Sequence, residues 1–381
     1  MTRWNHAALT SALAYFSALA LAVVGVIVSN TAANPVQLPK SNFLVSPATK
    51  QLIALVIGMV LMVFLSRMPF EQLRSLARVL LVLTVVLLVV VYLPGIGVPV
   101  AGARRRIGFG IATFQPAELA KLTIILFLAA ACSRQVHRIH NLAYLSSLLG
   151  IVALVLLIIE REPDLGTAVI VFLTSLAVLY LAGAKVRHLL GVMIVSVVLL
   201  FTLLHFSDRT NAGYRTERLA LWRSPEGSRH DAENQVVQSL IAVSASGLGG
   251  VGPGNGESKY YLPASNTDYA MAIVAEEFGM LGVLIVLLGI GLVFLRAHYL
   301  ATTSQDTFVR LVAGGIGAWI MLQSAINLAV VTNCVPATGV PMPFVSHGTS
   351  ALVVTLAAVG ILTEPSVSLL PVRQRRRSLV P

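Results

Sequence analysis

Residues Ala272–Leu295 read AIVAEEFGMLGVLIVLLGIGLVFL, and from Phe278 onward the stretch holds no charged side chain. A run of this length suits an α-helix crossing a bilayer, since about 20 apolar residues rise through roughly 30 Å of hydrocarbon. Similar runs recur near 8–28, 50–66, 78–94, 116–132, 143–159, 165–183, 188–206, 309–331 and 349–364, which makes ten in all. Helices are required because open strands would leave backbone groups unpaired in lipid. The runs are also too continuous for the alternation of an outer-membrane barrel. The first follows Arg3 and His6. It is longer than the apolar core of a secretory signal and lacks a clear cleavage site, so it reads as a retained helix. The expected fold is an all-α polytopic membrane protein with about ten transmembrane helices. Residues 1–381 form a single integral membrane domain, with one long extracytoplasmic loop over 207–271 and a basic cytoplasmic tail over 366–381.

Composition agrees. Of 381 residues, 56% are hydrophobic and 11% charged, against roughly a quarter charged in a soluble domain. Mean hydropathy is +0.84. Orientation follows Lys and Arg in the short loops. With the N-terminus inside, the cytoplasmic segments hold Arg3, Arg67, Arg74, Arg78, Arg134, Arg138, Lys185, Arg187, Arg296, Arg310 and the tail Arg373, Arg375, Arg376 and Arg377. This bias emerges once the long loop is set aside, because long loops translocate largely regardless of charge. Arg104, Arg105 and Arg106 then stand on the opposite face, where they need a task of their own. The net charge of +11 follows from this rule and from attraction to anionic lipid. No soluble module with clustered bases and aromatic platforms points to nucleic acid. Cys132 and Cys334 fall near opposite faces and have neither disulfide nor metal-ligand spacing.

Polar groups at membrane depth cost free energy and mark function. All acidic residues except Glu71, Asp306 and Glu364 fall outside or near the outer helix ends, so the chemistry is expected on the outer face. Four outward segments gather the polar residues. In GARRRIGFGIATFQPAELAK, 102–121, Pro116 opens a helix on which Glu118 and Lys121 share a face. That segment reads either as an anion site or as snorkelling arginines with a structural ion pair. In EREPDLGT, 160–167, Asp164 with Thr167 can cap the following helix. The loop 207–271 carries YRTERL, a short apolar helix at Val236–Ala245, a glycine-rich run and Asp268 ahead of a helix. That helix is too short to span and is expected to re-enter or lie in the interface. The glycine run lacks the P-loop pattern. In NCVPATGVPMPFVSHGTS, 333–350, prolines and glycines rule out a regular helix, and such backbone at membrane depth must be buried or line a cavity.

Taken together, GARRRI with QPAELAK, PDLGT, YRTER with QSLIAVSASGLGGVG, LPASNTDYAMAIVAEEFGMLG and VPATGVPMPFVSHGTS resemble the shape, elongation, division and sporulation family typified by FtsW and RodA. The pattern runs in register over residues 102–350 and leans to the division branch. The chain departs from the family pattern with Arg106 in place of Trp, Tyr269-Ala270-Met271 in place of an aromatic-rich run after the aspartate, and His347-Gly348-Thr349 in place of Tyr-Gly-Gly.

The resemblance implies a glycosyltransferase of the bacterial cytoplasmic membrane that polymerises lipid II at the outer face, with both termini cytoplasmic. Asp268 matches the family's proposed base and is the candidate catalytic residue. A carboxylate can take the proton of an attacking hydroxyl, and cations stabilise charge building on a leaving pyrophosphate. Candidate substrate-binding residues are Arg104, Arg105, Gln115, Glu118, Lys121, Arg215, Arg218, Gln238, Lys259, Ser346 and His347. A divalent cation, Mg or Mn, can assist the pyrophosphate, although the sequence contains no dedicated metal cage. The implied partners are a class B penicillin-binding protein and other divisome or elongasome membrane proteins. A lipid II flippase, a lipid-linked glycan ligase and a scaffold are the rival readings. The flippase lacks matching interrupted helices in the two halves, and the scaffold leaves Asp268 dispensable.

Overall fold

A computed structural model describes residues 3–32, 46–93, 95–100, 103–109, 112–206, 222, 235–262, 265 and 267–363. The described residues form eleven α-helices: α1 (Arg3–Thr31), α2 (Pro47–Ser66), α3 (Phe70–Val90), α4 (Pro116–Arg134), α5 (Leu142–Arg161), α6 (Leu165–Leu181), α7 (Val186–Phe206), α8 (Gln235–Ser244), α9 (Ala270–Thr303), α10 (Thr307–Val331) and α11 (Thr349–Leu362). Each of the ten expected spans falls on one of these, and α8 is the short helix expected within the long loop. Seven are long and apolar enough to cross a membrane, namely α1–α5, α9 and α10. The 17-residue α6 and 14-residue α11 are shorter. Fourteen residues rise only about 21 Å. Directly before α11, the irregular chain buries Met342, Phe344 and Val345 instead of continuing as helix.

Helix α4 is central and buried on nearly every side, packed by α3, α6, α10 and α11. The outer helices turn apolar side chains outward, such as Val79, Val82 and Val86 on α3, Leu154 and Leu157 on α5, and Ile194 and Val195 on α7. These faces suit lipid. Consecutive helices alternate in direction. The ends of α1, α3, α5 and α10 and the starts of α2, α4, α6, α9 and α11 therefore share one end of the bundle. Ser265 Oγ donates to Ala32 O, 3.2 Å, and Tyr92 Oη to Ile158 O, 3.0 Å, across that end.

One element departs from the all-α expectation. A three-stranded antiparallel sheet, β1 (Gly97–Val100), β2 (Ala103–Phe109) and β3 (Ala112–Phe114), lies between α3 and α4. Its strands are short, and glycines and arginines obscure their alternation; among the strand residues whose side chains are described, Ile107 alone is buried.

Helix α9 is kinked at Gly279, φ +69°, and the glycine-rich loop restores the backbone bonds that a kink costs. Val251 N donates to Glu276 O, 2.9 Å, and Gly252 N to Glu277 O, 3.0 Å. In return Met280 N donates to Gly247 O, 3.1 Å, and Leu281 N to Leu248 O, 3.2 Å. Gly250, φ +70°, lies so close to the kink that a Cβ there would overlap the Glu277 carbonyl and the Gly279 nitrogen. Gly250→Ala is therefore expected to cost at least about 1–3 kcal/mol, read as a fall in unfolding temperature of the purified protein.

At the other end, buried Arg296 of α9 donates to Leu362 O of α11, 2.8 Å, and to Ala7 O of α1, 3.1 Å. It thereby satisfies a carbonyl that the end of α11 leaves unpaired. Nearby, Arg74 pairs with Asp306, the residue that caps α10 through Phe308 N, 2.8 Å.

Candidate active site

Asp268 stands partly exposed immediately before α9. Its backbone is held by Asn327, a fully buried amide on α10, whose Nδ2 donates to both Asp268 O and Val340 O, 2.8 Å each. One side chain thus fixes Asp268 against the irregular wall 333–348. At Gly339, φ +74°, the absent side chain leaves open the space beside the carboxylate, with Asp268 Oδ2 3.7 Å from where a Cβ would stand.

That wall is fastened from three sides. Gln323 Nε2 donates to Pro341 O, 2.8 Å. Gln51 of α2 donates to Ser346 O and accepts from Gly348 N, 3.2 Å each. Within the wall, Ser346 Oγ accepts from Met342 N, 2.9 Å. Thr349 and Ser350 hydroxyls donate to Thr113 O of β3, 3.2 and 3.4 Å, and Gln115 N donates back to Ser350 Oγ, 2.8 Å. The sheet is therefore stitched to the start of α11, and β2 is carried over the same end.

This placement sorts the arginines. Arg104 is exposed. Arg105 is half-buried and within electrostatic reach of Glu162. Arg106 is half-buried among Glu118, Asp164 and Asp268, whose charges favour its guanidinium while burial and Arg105 oppose it, with a net lowering. The sequence reading nominated Arg104 and Arg105 and treated Arg106 only as a departure from pattern, yet Arg106 lies within electrostatic reach of Asp268. His347 lies in the same field. Burial first, then Arg106 and Lys50, push its imidazole down to about 4, so it is neutral at physiological pH.

Asp164 caps α6 as expected, accepting from Thr167 N, 3.1 Å, and Thr167 Oγ1, 3.0 Å, and it also accepts from Gln115 Nε2, 2.8 Å. Glu118 and Lys121 form a buried ion pair of 2.7 Å, and Lys121 Nζ also donates to Gln323 Oε1, 3.0 Å. Trp319 Nε1 shares that oxygen, 2.7 Å. Lys121 is thus turned into the bundle, which favours the structural alternative for this pair. Lys259 is buried, donates to Gly254 O and lies over the Tyr260 ring. Gln238 is half-buried on α8, which is pinned to the end of α10 by Ser239 Oγ to Val331 O, 2.9 Å. Arg215 and Arg218 lie outside the described residues, as does the tail 366–381. Among the described residues no three His, Cys, Asp or Glu side chains group as metal ligands. Sequence reasoning missed Gln51, Gln323 and Asn327, although a buried amide in an apolar span is itself the signal.

Glu162 is fully buried, and burial first, then the charge of Asp164, raise its carboxyl to about 8, with Arg105 opposing. A folded-state value above the ordinary one means that stability present at low pH is lost as pH rises from about 4.5 through 8. Glu162→Gln is expected to melt with the wild type at pH 5 and above it at pH 9, checked by paired thermal melts.

A polytopic helical membrane protein with a partly exposed carboxylate, an arginine in its field and an irregular, hydrogen-bonded segment at one bundle end is thereby defined. Residues 11–369 match the family model for the FtsW, RodA and SpoVE cell cycle proteins. The chain belongs to that family. It is 32% identical over 83% of its length to the probable peptidoglycan glycosyltransferase FtsW of Geobacter metallireducens, covering 84% of that protein. It is 34% identical to stage V sporulation protein E of Bacillus subtilis, over 84% of this chain and 86% of that one. Identity is also 34% to the peptidoglycan glycosyltransferase MrdB of Escherichia coli K12, over 80% and 81%. Among solved structures, a peptidoglycan synthase complex described as coordinating polymerization and crosslinking matches with a TM-score of 0.74 at 27% identity, over 92% of this chain and 95% of that one. The rod shape determining protein RodA of Thermus thermophilus matches with a TM-score of 0.65 at 26% identity, over 92% and 94%.

Proposed function

We propose that this chain is a peptidoglycan glycosyltransferase that extends glycan strands from lipid II at the outer face of the bacterial cytoplasmic membrane, both termini being cytoplasmic. The activity is that of its relatives FtsW and MrdB. The observation that carries the site assignment is the placement of Asp268, partly exposed, backbone-anchored by Asn327 and within electrostatic reach of Arg106. In this reading Asp268 takes the proton from the acceptor 4-hydroxyl as that oxygen attacks the donor's anomeric carbon. The C–O bond to the lipid pyrophosphate breaks, and Arg106 with Arg105 stabilises the charge left on the phosphate oxygens. Direct displacement inverts the anomeric centre and yields a β-linked glycan.

The partner in this reading is a class B penicillin-binding protein, consistent with the complex among the structural matches. Purified protein, given lipid II with and without that partner and with Mg²⁺ or Mn²⁺, is expected to yield long strands resolved on a gel. Lipid II movement across vesicles without strand synthesis under all these conditions would instead favour a flippase.

A further inference from the structure

Eight residues into α9 from Asp268, two adjacent glutamates present a separate problem. Glu277 is fully buried, and neither of its carboxylate oxygens has a hydrogen-bond partner. Glu276 is 5% exposed. Its Oε1 accepts from Glu257 N, 3.0 Å, and Ser258 N, 3.2 Å, while its Oε2 has no partner. Both side chains converge on Gly256: a Cβ there would lie 2.7 Å from Glu276 Oε2 and 3.2 Å from Glu277 Cγ. The cation nearest in sequence, Lys259, is turned to Gly254 O. Ion pairs among the described residues join Arg74 to Asp306 and Lys121 to Glu118, and neither glutamate takes part in one.

Burying one carboxylate without compensation is costly, and burying two side by side is more so. Orphaned buried polar atoms in a folded protein call for a bound water, an ion or a proton. Three orphaned oxygens facing a glycine-rich loop, whose carbonyls can complete a shell, are the hard-oxygen donor set that a divalent cation takes. We propose that Glu276, Glu277 and the backbone around Gly256 bind a hard divalent cation that braces the loop against the kinked start of α9. It would neutralise both carboxylates and lock residues 247–258 beneath the Asp268 end, a structural role distinct from the reaction.

The test uses the full chain in detergent, stripped with a chelator, and reads the unfolding temperature with and without Mg²⁺, Ca²⁺ or Mn²⁺ alone, so it does not depend on the polymerase reading. The wild type is expected to gain about 5 °C at saturating metal. Glu277→Gln and, independently, Gly256→Ala, which fills the space between the carboxylates without changing charge, should each abolish the gain. Asp268→Asn should keep it. No gain in the wild type with any of the three metals overturns the proposal. A gain that survives both variants, or one that Asp268→Asn removes, overturns it by placing the metal elsewhere.

Discussion

Asp268→Asn is expected to slow strand growth from lipid II by about 10²–10⁴-fold, the usual contribution of a positioned general base. The substitution keeps shape and removes the negative charge, and with it the capacity to accept a proton. The bond from Asn327 to the backbone carbonyl of this residue, 2.8 Å, does not use the carboxylate, so the variant retains it. Its unfolding temperature should therefore match the wild type. Substrate affinity, measured by lipid II binding, should change little, placing the loss in turnover. A variant that extends strands within tenfold of the wild type would show that Asp268 is a helix-start residue and that the base lies elsewhere. Asn327→Leu supplies the complementary result, because it frees the backbone of residue 268 and of the wall at Val340 together and should lower both stability and rate.

Lys121→Met is expected to cost about 3–5 kcal/mol, because it leaves Glu118 as a lone buried charge. The pair is shielded, with 2% of the Lys121 side chain and 4% of the Glu118 side chain exposed. The lysine's bond to Gln323 also helps order the amide that holds Pro341. Replacing both partners with apolar residues should recover much of the loss, since an uncharged pair leaves nothing unsatisfied. Thermal melts of the single and double variants check this. If Lys121 instead served substrate, the single variant would melt normally and bind lipid II weakly.

Much of the fold was legible because a bilayer imposes one requirement on every span, and an apolar run of sufficient length meets it. The helices at the ten expected positions, the short helix near Val236 and the cap at Asp164 all followed from such local rules. The sheet at Gly97–Phe114 did not, since its strands pair through backbone bonds that Arg and Gly neither favour nor forbid. Arg106 was passed over for the same reason: how three consecutive arginines are disposed toward the acidic residues depends on strand register and on β3 being tied to Ser350. Lys121 was nominated from its motif, but its direction is set by Gln323 and Trp319 on a helix some 200 positions away, a relation that no local pattern encodes. Lys259 is a similar case, its ammonium drawn to the backbone of its own loop.

The lashing of α1, α9 and α11 by Arg296 bears on how the molecule is made. Its partners Ala7 and Leu362 lie near the first and last described residues, with Ala7 and Arg296 separated by 289 positions. During synthesis the guanidinium enters the membrane before Leu362 exists, and it must remain near the interface or in temporary company until the final helix arrives. The three-helix contact therefore closes only once α11 is in place. A nascent polypeptide halted ahead of α11 carries an arginine short of one of its acceptors.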